Sequence, residues 1–223
     1  MQVTNYLFLS IVMVIIVLVF CFILFEGKKP DARIVVIIAV MSAVAVAGRA
    51  IFFFAPNIKP ISAIIILTGI CFGRNVGFIT GAISLFVSNF IFGQGPWTPW
   101  QMLGFGIIGY LSGLFFDDGK SGRRRDRYKE KSKLMTFAYC VFGFISVFFI
   151  YGAVADMWTV FGFFESPTLK TFLTVYITAI PMNFLHAAST VIFLIILVIP
   201  IKSKLDRIKL KYGIMDKSGE ISG

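Results

Sequence analysis

Charge is what this chain of 223 residues has least of: 14% is Asp, Glu, Lys or Arg, against 58% apolar and 16% aromatic residues. A soluble domain carries about a quarter charged, so a water-soluble globule is excluded. Histidine occurs once. Cysteine occurs three times, at Cys21, Cys71 and Cys140, singly and within apolar runs. That pattern supports neither a metal centre nor a disulfide framework, and three small buried hydrophobes are expected. Catalytic sets are missing as well. His186 and Ser189 lie three apart but lack both an elbow motif and an acid partner, so no nucleophile with its base is read here. No Gly-x-x-x-x-Gly-Lys-Ser/Thr pattern occurs, hence no ATP site is expected on this chain, and there is no Asn-x-Ser/Thr acceptor. The net charge of +10 suggests nucleic acid at first sight. The bases fall in blocks between apolar runs, however, which reads as membrane topology and requires no nucleic-acid module.

What the chain does have is apolar runs. Val3 to Phe25, Ile34 to Phe54, Ile61 to Phe72, Val76 to Phe92, Met102 to Phe116, Leu134 to Ala155 and Thr171 to Ile199 predict an all-α integral membrane protein with seven spans. The first run exceeds a secretory h-region and lacks a basic n-region and a cleavage site, so it is expected to be retained as a helix. The last is about 43 Å long at about 1.5 Å per residue, and must tilt, protrude or kink at Pro181. Three organisational segments are expected: 1–32 with the first helix and a basic loop, 33–201 as the main membrane domain, and 202–223 as a basic tail.

Small residues recur every four positions at Ala39, Ala43 and Ala47, at Gly69, Gly73, Gly77 and Gly81, and at Gly109 and Gly113. Such faces let helices approach closely. Gly104-x-Gly106-x-x-Gly109 matches a dinucleotide fingerprint, but no strand precedes it, so packing is the reading. Of the 21 bases, three lie between Lys28 and Arg33, one is Arg74, eight run from Lys120 to Lys133 and six are in the tail. Alternating spans put all of these on one side, leaving only Arg49, Lys59 and Lys170 for the other. The C-terminus is then cytoplasmic, and the loops Ala55–Pro60, Gly93–Gln101 and Asp156–Lys170 are external.

Gly93-Gln-Gly-Pro-Trp-Thr-Pro-Trp-Gln101 interrupts the apolar runs with two prolines, two tryptophans and two glutamines. Gly and Pro are expected to end the flanking helices, while Trp and Gln supply flat contact area and hydrogen-bonding ends. Interfacial belt residues are the bland alternative for Trp97 and Trp100. Asn89, on an apolar helix just upstream, favours a site. The expected cavity is rimmed by Trp97, Trp100, Trp158 and Phe164, with Asn89, Gln94, Gln101, Asn183 and Arg49 as polar groups, which describes small-molecule binding. Arg49 near a helix end fits snorkelling as well as ligand contact, and His186 fits a core histidine as well as a ligand group.

The six spans after Arg33, the Ala39-x-x-x-Ala43-x-x-x-Ala47 face and above all the Asn89–Gln101 phrase resemble the substrate-binding S component of an energy-coupling factor (ECF) vitamin transporter. Within that class the phrase is most similar to the cobalamin type. The resemblance implies a six-helix S-component bundle, here with one extra N-terminal transmembrane helix, in a bacterial cell membrane. It further implies a vitamin, cobalamin first, captured externally with no covalently bound cofactor. A transmembrane coupling subunit, contacted by Ala39, Ala43 and Ala47, and two cytoplasmic ATPases are the implied partners. The competing reading is an ion-coupled secondary transporter, disfavoured because acids are missing from the span interiors. An S component for another vitamin and, third, an intramembrane enzyme complete the alternatives.

Overall fold

A computed structural model describes residues 2–26, 32–116, 128–164 and 166–212. Lys28, Lys29, the arginines Arg123, Arg124, Arg125 and Arg127, Glu165 and the end of the basic tail lie outside the described residues. Among those described there is no strand. The helices are α1 (Gln2–Glu26), α2 (Ala32–Ile51), α3 (Ile61–Phe72), α4 (Arg74–Phe92), α5 (Thr98–Phe116), α6 (Tyr128–Ile145), α7 (Gly152–Phe163), α8 (Leu169–Leu197) and α9 (Ser203–Tyr212). Two π-helical turns, Ser146–Tyr151 and Val198–Lys202, join α6 to α7 and α8 to α9. Four stretches are long and apolar enough to cross a membrane: Ala32–Ile51, Arg74–Phe92, Lys133–Phe163 and Leu169–Leu205.

The architecture is built around α3. Ile61-Ser-Ala-Ile-Ile-Ile-Leu-Thr-Gly-Ile-Cys-Phe72 is apolar on every side, and all twelve residues are buried. A helix without a polar face belongs in the centre of a bundle, and α3 touches α2, α4, α5, α6 and α8. At only 12 residues it is about 18 Å long, well short of the hydrocarbon core. Gly73, with φ of +88°, reverses the chain in a single residue and starts α4; a side chain there would be strained. The four-residue glycine spacing therefore spans two helices and doubles back, laying Gly77 of α4 beside Gly69 of α3.

The most extensive crossing is α4 on α5, where a Cβ on Gly81 would sit 2.5 Å from the Phe105 carbonyl oxygen. Such backbone-to-backbone approach is what Gly-rich faces permit. On the outside of this pair lies α1, with Val17 buried and Phe20 edge-on to Phe78 at 4.6 Å between centroids. At its other end Ser10 Oγ donates to the Pro96 carbonyl at 2.9 Å.

Two expected boundaries move. Residues Thr98 to Gln101 form the first turn of α5 instead of loop, because Pro99 sits where its fixed φ suits a helix and its missing N–H is not needed. Asp156 to Phe163 belongs to α7, continuous with α6 through the π-turn, so Trp158 is helical and the connection to α8 shrinks to a few residues. Pro181 lies inside α8 without ending it. That helix starts with a capping box, in which Thr168 Oγ1 accepts from the Thr171 backbone N–H and Thr171 Oγ1 accepts from the Thr168 backbone N–H.

Candidate ligand-binding site

Polar side chains collect at the end of the bundle that carries the Gly93–Trp97 turn. Asn89, 1% exposed, is the hub. Its Nδ2 donates to Thr98 Oγ1 (3.0 Å) and Gln101 Oε1 (2.9 Å), and its Oδ1 accepts from Arg49 Nη1 (2.8 Å). Both amide donors are thus used. Thr98 Oγ1 passes its own proton to Gln94 Oε1 (3.0 Å), while Gln94 Nε2 reaches back to the Phe86 carbonyl (2.8 Å). The turn is therefore tied to α4 at both ends, and Gln94 serves as a strap on the exposed side. A buried polar network that is fully satisfied fixes geometry.

Arg49 occupies the last turn of α2 and points inward. Besides Asn89 its Nη1 donates to Ser88 Oγ, and its guanidinium carbon stands 4.3 Å from the Phe92 ring centroid. Snorkelling away from the protein is not what this side chain does. Lys59 comes onto the same ring, its Nζ 4.2 Å from the centroid, while its backbone N–H donates to Ser189 Oγ at 3.1 Å. Burial pushes the Lys59 ammonium below its usual pKa, and the Arg49 charge adds to the effect.

Deeper, His186 is 7% exposed and shares a hydrogen bond of 2.8 Å with Ser62 Oγ of α3. It is a buried histidine bonded to a neighbouring helix. With Ser189 committed to Lys59, the two do not form a dyad. Tyr151 stands edge-on to His186 at 5.0 Å and packs on Phe105 at 4.4 Å. The π-turn brings it there, since an extra residue in the turn re-aims the side chains that follow. Beyond it Asn183 Nδ2 donates to Asp156 Oδ2 at 2.7 Å. No cluster of metal-ligating side chains occurs among the described residues.

The aromatic rim is smaller than the sequence suggests. Trp97 and Trp158 face each other at 6.1 Å and are both half-buried. Trp100 is not on the rim: it is 5% exposed and stacks on Phe161 at 6.1 Å, its indole N–H without an acceptor among the described residues. Phe164 is exposed. Sequence reasoning missed Lys59, Ser62 and Tyr151 as parts of this region. For Lys59 a signal existed, because a base on the base-poor side of a membrane protein asks for a reason.

Along α2, Ala39, Ala43 and Ala47 are all exposed, and so are Val36, Val40 and Val44. The small-residue face is thus left open by the described residues, and the buried side of the helix is Ile34, Ile37, Ile38, Met41, Ser42 and Ala45.

A sequence model of the family described as ECF-type riboflavin transporter, S component, matches residues 29–203. The chain belongs to that family. It is therefore a membrane-embedded substrate-binding subunit of a transport system, from a family of transporters and not of enzymes. The shared segment excludes α1. Among curated relatives, a UPF0397 protein of Aliivibrio fischeri is 31% identical to this S component over 162 residues, 70% of this chain and 85% of the relative. One from Aliivibrio salmonicida is 31% identical over 154 residues, covering 67% and 81%. One from Vibrio atlanticus is 37% identical over 90 residues, covering 38% and 49%. Their names state no substrate. No solved structure matches the chain significantly. The family description names riboflavin, not the cobalamin to which the Asn89–Gln101 phrase points, so membership fixes the class of protein and not its vitamin.

Proposed function

We propose that this S component captures a vitamin at the external face of a bacterial membrane and hands it inward with a transmembrane coupling subunit and two cytoplasmic ATPases. The observation that carries this reading is α2, which presents an open small-residue face along its length and delivers Arg49 to the polar end of the bundle. One rigid element thus links a partner surface to a ligand group. Seven spans, with the Gly93–Trp97 turn outside and the C-terminus inside, satisfy the base distribution. Cobalamin is the first ligand on the resemblance of the Asn89–Gln101 phrase, and riboflavin, named by the family, is its competitor. The Trp97–Trp158 pair offers aromatic surface for a flat ring to pack against, and the Trp100 indole N–H, without an acceptor among the described residues, supports a hydrogen-bond acceptor on the ligand.

Calorimetry on the purified chain with cobalamin, riboflavin, biotin, thiamin and folate tests the ligand. Binding of one vitamin without partners is expected, and a chain that stays silent to the whole panel, alone and with its coupling subunit, would sink the proposal. Uptake is expected to collapse when ATP is depleted with the proton gradient intact; uptake that follows the gradient instead would favour the ion-coupled reading. Trp97→Ala and Asn183→Ala are each expected to weaken binding about tenfold, the loss typical of a central contact, with the protein still monodisperse. Unchanged affinity in both would move the site elsewhere.

A further inference from the structure

Two positive charges converge on one ring. Phe92 has the Arg49 guanidinium carbon 4.3 Å from its centroid and Lys59 Nζ at 4.2 Å. The ring attracts each cation, but the cations repel one another, and partial burial strengthens that repulsion. Among the described residues no carboxylate forms an ion pair with either. Asp156, the acid of this region, is engaged by Asn183. Both cations are held by neutral partners, Arg49 by Ser88 and Asn89, Lys59 through its backbone by Ser189.

Their donors are mostly unspent. A guanidinium has five N–H groups, and both recorded bonds of Arg49 start from Nη1, leaving those of Nη2 and Nε; the three of Lys59 Nζ have no acceptor among the described residues. A positioned, partly desolvated cation pair short of an anion is the arrangement that a charged oxygen group completes with strong, short bonds.

We propose that Arg49 and Lys59, stacked together on Phe92, form a subsite for one anionic oxygen group, a carboxylate or a phosphate. The subsite belongs to the ligand taken up at this end of the bundle and so rests on reading that end as the capture site. The same chemistry is carried by a soluble ligand and by a phospholipid head group, and the test separates them.

The full chain in phospholipid-free maltoside micelles is dialysed to equilibrium against radiolabelled inorganic phosphate, with ionic strength held by chloride. Saturable binding of about one phosphate per chain is expected. Lys59→Gln, which keeps the backbone bond to Ser189, is expected to weaken it at least tenfold, and Lys170→Gln, an exposed base at the start of α8, to leave it unchanged. Absence of saturable binding, or equal loss in both variants, overturns the subsite. Displacement of phosphate by flavin mononucleotide but not by riboflavin assigns it to a soluble ligand, whereas displacement by phosphatidylglycerol alone assigns it to lipid. Vitamin binding on the same preparations distinguishes the two failures. A vitamin bound equally by wild type and Lys59→Gln, with no phosphate bound, removes the subsite and keeps the capture reading. Phosphate bound while every vitamin is ignored does the reverse.

Discussion

Gly109→Val is expected to leave no foldable protein. The crossing of α4 and α5 is a backbone contact: a Cβ on Gly109 lands on the Gly77 carbonyl, 2.5 Å from its carbon, and one on Gly77 lands on the Gly109 carbonyl. Side chains yield when crowded, but here the obstacle is main chain inside two helices, and Ile65 closes the third side at 3.0 Å. Overpacking a core usually costs about 1–3 kcal/mol. Prising apart the most extensively packed helix pair should exceed about 4 kcal/mol, the range where single substitutions unfold marginal proteins. Gly93→Ala is the contrast: open space surrounds it, and only its φ of +103° opposes a side chain, a strain of about 1–3 kcal/mol. The yield of monodisperse protein in detergent and its thermal unfolding check both, and a Gly109→Val chain that stays folded would disprove the crossing.

Ala43→Trp is expected to abolish assembly and transport while leaving vitamin binding unchanged. Ala43 is exposed between Ala39 and Ala47 on α2, and nothing among the described residues covers that face. A tryptophan there has room in the isolated subunit, but it holds off a partner helix that needs the close approach of small residues. Arg49 lies six residues further along α2 and faces the polar hub instead, so binding and coupling are separable on a single helix. Co-purification with the coupling subunit, calorimetry with the vitamin and uptake into cells measure the three quantities. Full transport by the variant would show that the partner docks elsewhere.

The sequence was most legible where the membrane imposes a rule. Ile61 to Phe72 is recovered to the residue, because a run without polar positions between Pro60 and Gly73 leaves no freedom. The glycine positions announced close approach, though not that Gly73 folds the ladder back on itself. Thr98 to Gln101 was misread because proline was taken as a terminator, when Pro99 opens a helix. Asp156 to Phe163 reads as part of the Asp156–Lys170 connection, whereas a π-turn carries the helix through. In the site, Asn89 and Arg49 stood out as polar groups on apolar helices, but their pairing across 40 residues did not. His186 meets Ser62 from 124 residues away, and Tyr151 reaches His186 only by a local change of helical register. Tertiary proximity of this kind leaves no mark on spacing.

The hydrogen bond from Ser10 to the Pro96 carbonyl gives the first helix a hold on the mouth of the site. The turn cannot swing outward to admit a ligand without breaking that bond or carrying α1 along. In a bilayer the tilt of a 25-residue helix follows the thickness of the hydrocarbon region. Any change in the tilt of α1 would therefore be felt at the Gly93–Trp97 turn through a single hydroxyl.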